Sequence, residues 1–68
     1  MLELTYINNL LTFDGIEYTI VNLEISTEFV VFATIENQSY FSVIALVANE
    51  TTINGVLQTS AQQIIDSL

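Results

Sequence analysis

Two apolar runs, residues 29–35 and 40–47, constrain the fold of this chain more than any other feature, because both are hydrophobic at odd and even positions alike. Their length and their Val, Ile, Phe and Tyr content are those of β-strands. Successive side chains of a strand point to opposite faces. One face therefore carries Phe29, Val31, Ala33 and Ile35 with Tyr40, Ile44 and Leu46, and the other carries Val30 and Phe32 with Phe41, Val43, Ala45 and Val47. Strands that are apolar on both sides need cover on both sides.

Turn chemistry sets the rest of the sheet. Asp14-Gly15, flanked by Phe13 and Ile16, is a two-residue hairpin signal. It places Phe13 opposite Ile16, Leu11 opposite Tyr18 and Tyr6 opposite Leu23. Asn37-Gln38 separates the two apolar runs, and Ser26-Thr27 is a weaker turn before them. In this register the first hairpin buries Leu11, Phe13, Ile16, Tyr18 and Ile20 near its turn. Beyond Asn8-Asn9 the apolar set moves to the other face, with Leu2, Leu4 and Tyr6 joined by Val21, Leu23 and Ile25. Asn8-Asn9 is either a bulge in one long strand or a turn that adds a fifth short strand.

From about Thr52 the period changes. Ile53, Val56, Leu57, Ala61, Ile64, Ile65 and Leu68 recur at the three-four spacing of one helical face. Gly55 in the first turn costs up to ~1 kcal/mol against Ala, and Asp66 sits at the unfavourable end of the helix dipole, so such a helix depends on packing. The expected architecture is a single α+β domain, ββββα. It is a four-stranded antiparallel meander over about residues 2–13, 16–25, 28–36 and 40–48, followed by one amphipathic helix over about 53–67. The sheet is strongly bent.

One helix ~10–12 Å across covers roughly half of a sheet ~19 Å wide. The uncovered apolar surface must curl into a barrel or meet another chain. A 68-residue chain without Cys or His has neither disulfides nor the usual zinc sites to supplement a small core. A homo-oligomer formed through the sheet is the expectation, with Val30, Phe32, Phe41 and Val43 as its interface.

Composition excludes several functions. The chain contains no Lys or Arg, eight acidic residues and a formal charge of −8. Affinity for a phosphate backbone comes from cations that displace counterions, so direct nucleic-acid binding is not expected. An anionic membrane surface repels the chain for the same reason, and no apolar stretch reaches ~18 residues. The N-terminus lacks the basic and long apolar regions of a signal peptide, so a cytoplasmic location is expected. Ser or Thr nucleophiles have no His or Lys base, phosphoryl transfer lacks its Lys and glycine-rich loop, and no calcium-loop spacing occurs. The expectation is a non-enzymatic chain with no cofactor and no metal.

Glu3, Glu17, Glu24 and Glu28 are the carboxylates singled out for contact with a basic partner. The hairpin register brings Glu24 opposite Thr5 and diagonal to Glu3. The functional expectation is a small acidic interaction module that self-associates through its sheet. The alternative is an acidic inhibitor, from a virus or mobile element, of the basic site of a nucleic-acid-handling protein.

Overall fold

The computed structural model describes residues 1–68. In chain order the elements are β1 (Leu2–Ile7), β2 (Leu10–Phe13), β3 (Ile16–Ile25), β4 (Val30–Asn37), β5 (Tyr40–Val47), β6 (Thr51–Ile53), β7 (Val56–Leu57) and α1 (Ala61–Ser67). The strands form one seven-stranded sheet in the order β5-β4-β3-β2-β1-β6-β7. All neighbours are antiparallel except β1 and β6, which run parallel. The fold is thus α+β with a mixed sheet and one short helix, and not the four-stranded meander expected from the sequence.

Two turns account for most of the difference. A two-residue hairpin turn of the tightest kind needs positive φ at both central residues, a conformation open to Gly and tolerated by Asn and Asp. Asn8 and Asn9 have φ of 53° and 66°, so the expected strand over residues 2–13 folds back on itself as β1 and β2. Tyr6 then pairs with Leu11 instead of Leu23. Asn54 and Gly55 have φ of 53° and 80° and make the β6–β7 hairpin, within what the apolar spacing marked as helix. The helix begins only at Ala61, and its N-cap Ser60 accepts a hydrogen bond from the Gln63 amide at 3.1 Å.

Register near Asp14-Gly15 agrees with the turn chemistry: Phe13 faces Ile16, and Leu11 faces Tyr18. The apolar set of β3 does change face, by means of a bulge between Ile20 and Asn22. The unpaired Val21 is half-exposed, and the extra residue turns Leu23 inward and Asn22 and Glu24 outward. Without it the inner face would have received a carboxylate.

The parallel β1–β6 pair sets Leu2 against Thr51 and Leu4 against Ile53. Asn54 extends it with its side chain: its Nδ2 donates to the Tyr6 carbonyl at 3.0 Å, and its Oδ1 accepts from the Tyr6 amide at 2.9 Å. This pairing forces the sheet to curl. Strands β5 and β6 are five neighbours apart, ~24 Å in a flat sheet, whereas the chain from Val47 to Thr51 reaches only ~14 Å. A tight turn closed by the Glu50 amide on the Val47 carbonyl at 3.0 Å makes the link.

Curling supplies most of the cover for the inner face. Leu4, Leu11, Tyr18, Val31, Ala33, Ile35, Leu46 and Ile53 pack inside it, with Ala61 and Ile64 of the helix against them. The helix start is tied to the β3–β4 loop by the Ala61 amide, which donates to the Glu28 carbonyl at 2.9 Å. Buried Gln58 is bonded at both ends of its amide: its Nε2 donates to the Val56 carbonyl, and its Oε1 accepts from the Ser67 hydroxyl. The accessible surface is 4249 Å², against ~4,300 Å² expected for a compact chain of this mass. The surface is that of a compact chain, and among the apolar side chains still exposed Phe32, Phe41 and Val43 lie on the outer face.

Candidate functional site

The outside of the β4–β5 hairpin carries a group of exposed apolar side chains. The two strands pair without a bulge: Val30 faces Val47, Phe32 faces Ala45, Thr34 faces Val43 and Glu36 faces Phe41. The alternate residues Val31, Ala33, Ile35 and Leu46 are buried on the inner side, which sends Phe32, Phe41 and Val43 outward. Phe41 is 66% exposed, Val43 62% and Phe32 40%, while Val30 is half-buried at the start of β4. The four residues expected to form an interface thus share one face of one hairpin. Phe29, expected on the inner face, lies just before β4 and is half-exposed.

Carboxylates rim this face. Glu36 stands beside Phe41 and Glu24 beside Phe32 in cross-strand register, and Glu17 lies on the outer side of β3, two residues before Thr19, which pairs with Glu36. Glu17, Thr19, Glu36 and Asn37 line a shallow concavity of about 500 Å³, where Asn37 Nδ2 donates to the Glu17 carbonyl at 3.2 Å. Glu28 lies apart in the β3–β4 loop, beside a smaller hollow of about 390 Å³ lined with Ile25, Phe29 and Ala61. Glu3 lies on β1 opposite Thr52. The expected opposition of Glu24 and Thr5 does not form: Thr5 pairs with Thr12 and Glu24 with Phe32, because the turn at Asn8-Asn9 takes β1 out of register with β3.

Under the hairpin, the Tyr18 and Tyr40 hydroxyls are 2.8 Å apart and their rings meet edge to face, with centroids 6.2 Å apart. The hydrogen bond to Tyr40 holds the Tyr18 phenol above its ordinary value, with burial and the nearby Asp14 charge acting in the same direction. The pair joins β5 to β3 across β4.

No family model, characterised protein or solved structure matches the chain.

Sequence periodicity identified the outward set on β4 and β5 but missed two features beside it. Glu36 belongs to the rim, which its place opposite Phe41 signals only once the turn at Gln38-Ser39 is fixed. Strand β5 is also an edge of the sheet with no neighbour beyond it, a consequence of strand order that no local pattern reports. No helix is long and apolar enough to cross a membrane.

Proposed function

We propose that this chain is a small, non-enzymatic protein-interaction module that self-associates through the outer face of the β4–β5 hairpin. The observation that carries the reading is the exposure of Phe32, Phe41 and Val43 together on one face of a compact fold. Exposed apolar patches of this kind mark contact surfaces. Phe41 alone leaves two thirds of its side chain in water; at ~200 Å² per ring and ~25 cal/mol per Å², covering it contributes about 3 kcal/mol per copy. Association costs on the order of 4–15 kcal/mol, so both copies of Phe41 and its neighbours must be covered together for a stable pair.

Size-exclusion chromatography with multi-angle scattering at micromolar concentration tests this reading. A dimer or larger species is expected, and Phe41→Ser shifts it toward monomer. A wild-type chain that remains monomeric throughout refutes it.

A second reading draws on the rim. Glu17, Glu24 and Glu36 share the outer face with the aromatic patch, and the chain holds no Lys or Arg to pair with them. Such a surface complements a basic protein, including the basic site of a nucleic-acid-handling protein blocked by a viral or mobile-element inhibitor in the cytoplasm. Capture of basic partners from lysate that is lost as salt rises supports it; partners indifferent to salt sink it.

A further inference from the structure

We infer that two copies of this chain join by antiparallel pairing of their β5 strands along the open edge of the sheet, with a two-fold axis at Val43. The inference rests on the self-association reading and moves its contact from the outer face of the hairpin to the adjoining edge, where Phe41 meets the partner copy.

The β4–β5 register decides which backbone groups are free. Asn37 and Tyr40 flank the two-residue turn as a hydrogen-bonded pair, and such pairs alternate along an antiparallel ladder. Ser42, Ile44 and Leu46 therefore bond to β4, and the Ala48 amide continues the series by donating to the Phe29 carbonyl at 2.7 Å. Phe41, Val43 and Ala45 turn their N–H and C=O groups the other way, toward an edge that no strand occupies. These three residues are exposed, and their side chains lie on the outer face.

The two edges of the sheet are treated differently. Proteins protect edges with short strands, charges, prolines or bulges. Edge strand β7 is two residues long. Strand β5 is eight residues long, carries no charge and no proline, and pairs with β4 without a register shift. It has none of the usual protection.

A second copy suits this edge in three ways. With Val43 opposite Val43, Phe41 of each copy faces Ala45 of the other, and each of these pairs exchanges two hydrogen bonds. Every free donor and acceptor of the three residues then has a partner. The small Ala45 leaves room for the Phe41 ring, so the outer apolar face continues across the seam. Charge opposes the pairing only at a distance: two chains of −8 repel, but β5 carries no charge, and Glu36 sits opposite Phe41 on β4. In this register the two Glu36 residues are ~20 Å apart, more than twice the screening length of ~8 Å in physiological salt. A basic partner would find no carboxylate along this edge to read.

The test separates backbone from side chain at one position in the full chain. Val43→Pro removes an outward N–H, uses a residue type that edge strands accept on that side, and leaves the β4 ladder bonded. Val43→Thr keeps the N–H and the shape but loses apolar character. Pairing along the edge predicts that Val43→Pro raises the dimer dissociation constant at least tenfold, and that Val43→Thr changes it by about threefold or less. Stacking of outer faces predicts the reverse order, which overturns this inference and leaves self-association standing. Amide exchange of the wild type gives a second reading even if Val43→Pro fails to fold. The Phe41, Val43 and Ala45 amides become protected as concentration rises through the dissociation constant. Equal exchange of these amides in monomer and dimer also overturns the inference, and a wild type that never dimerises removes both it and the reading it rests on.

Discussion

Replacing Gly55 with alanine tests the fold of the C-terminal third by the sign of its effect. In the structure Gly55 has φ of 80° and a Cβ placed there meets nothing within 4 Å, so the whole cost is backbone conformation. A non-glycine residue in the left-handed region costs roughly 1–2 kcal/mol, partly offset by the smaller entropy of the unfolded chain, about 0.4–1 kcal/mol. The net expectation is a loss of about 1 kcal/mol. Were residues 53–67 one helix, as their apolar spacing suggests, the same change would stabilise by about 1 kcal/mol. Urea unfolding at fixed protein concentration reads the difference, because concentration enters the stability of a self-associating chain. With m of ~1 kcal/mol per molar for a small domain, the midpoint falls by about 1 M, and Tm falls by about 4–8 °C. Gly55→Asn, whose side chain tolerates the left-handed region, loses less. A Gly55→Ala variant as stable as the wild type, or more so, refutes the β6–β7 hairpin.

Three further expectations follow from other parts of the structure. The Thr51 hydroxyl is buried without a hydrogen-bond partner, so Thr51→Val, which keeps the shape, stabilises by about 1 kcal/mol; thermal unfolding checks it, and a loss of stability means that the hydroxyl is bonded. The Tyr18 phenol is held above its ordinary value in the folded state, so the folded chain keeps a proton that the unfolded chain releases near pH ~10. The stabilisation is whole below that pH and declines above it, and the decline in urea midpoint between neutral and strongly alkaline pH is shallower in Tyr18→Phe. Eight acidic side chains with no Lys or Arg make repulsion the main charge interaction for salt to screen. Raising sodium chloride therefore raises Tm, and a fall in Tm shows an attractive charge interaction absent from this structure.

Local chemistry made some of this fold legible and hid the rest. The Asp14-Gly15 turn and the pairing of Leu11 with Tyr18 could be read directly, because a two-residue turn fixes the register of its neighbours. The inward and outward sets of β4 and β5 followed from the two-residue alternation of strands. The tail misled because Ile53, Val56 and Leu57 satisfy a helical stripe and a short hairpin equally well, and Asn54-Gly55 is the stronger signal of the two. In the structure Ile53 is buried while Val56 and Leu57 are exposed, a division that no single helical face would produce. The parallel pairing of Leu2 with Thr51 joins distant parts of the chain and leaves no trace in either segment alone. It is also what curls the sheet, so the extent of closure, and with it the open edge at β5, lay beyond sequence pattern.

The candidate surface divides along the same line. Val30, Phe32, Phe41 and Val43 fall on one face because their positions on paired strands fix it, whereas Glu3 and Glu28 scatter because their neighbours depend on long-range pairing. Sedimentation equilibrium of the wild-type chain over a wide concentration range is the most direct test of the central claim, that the outer side of β4–β5 is a contact surface between copies. A monomer–dimer equilibrium that Phe41→Ser shifts toward monomer by at least tenfold, with unchanged circular dichroism, is the expected result. A single monomeric species at every concentration, or a dimer that Phe41→Ser leaves untouched, contradicts it.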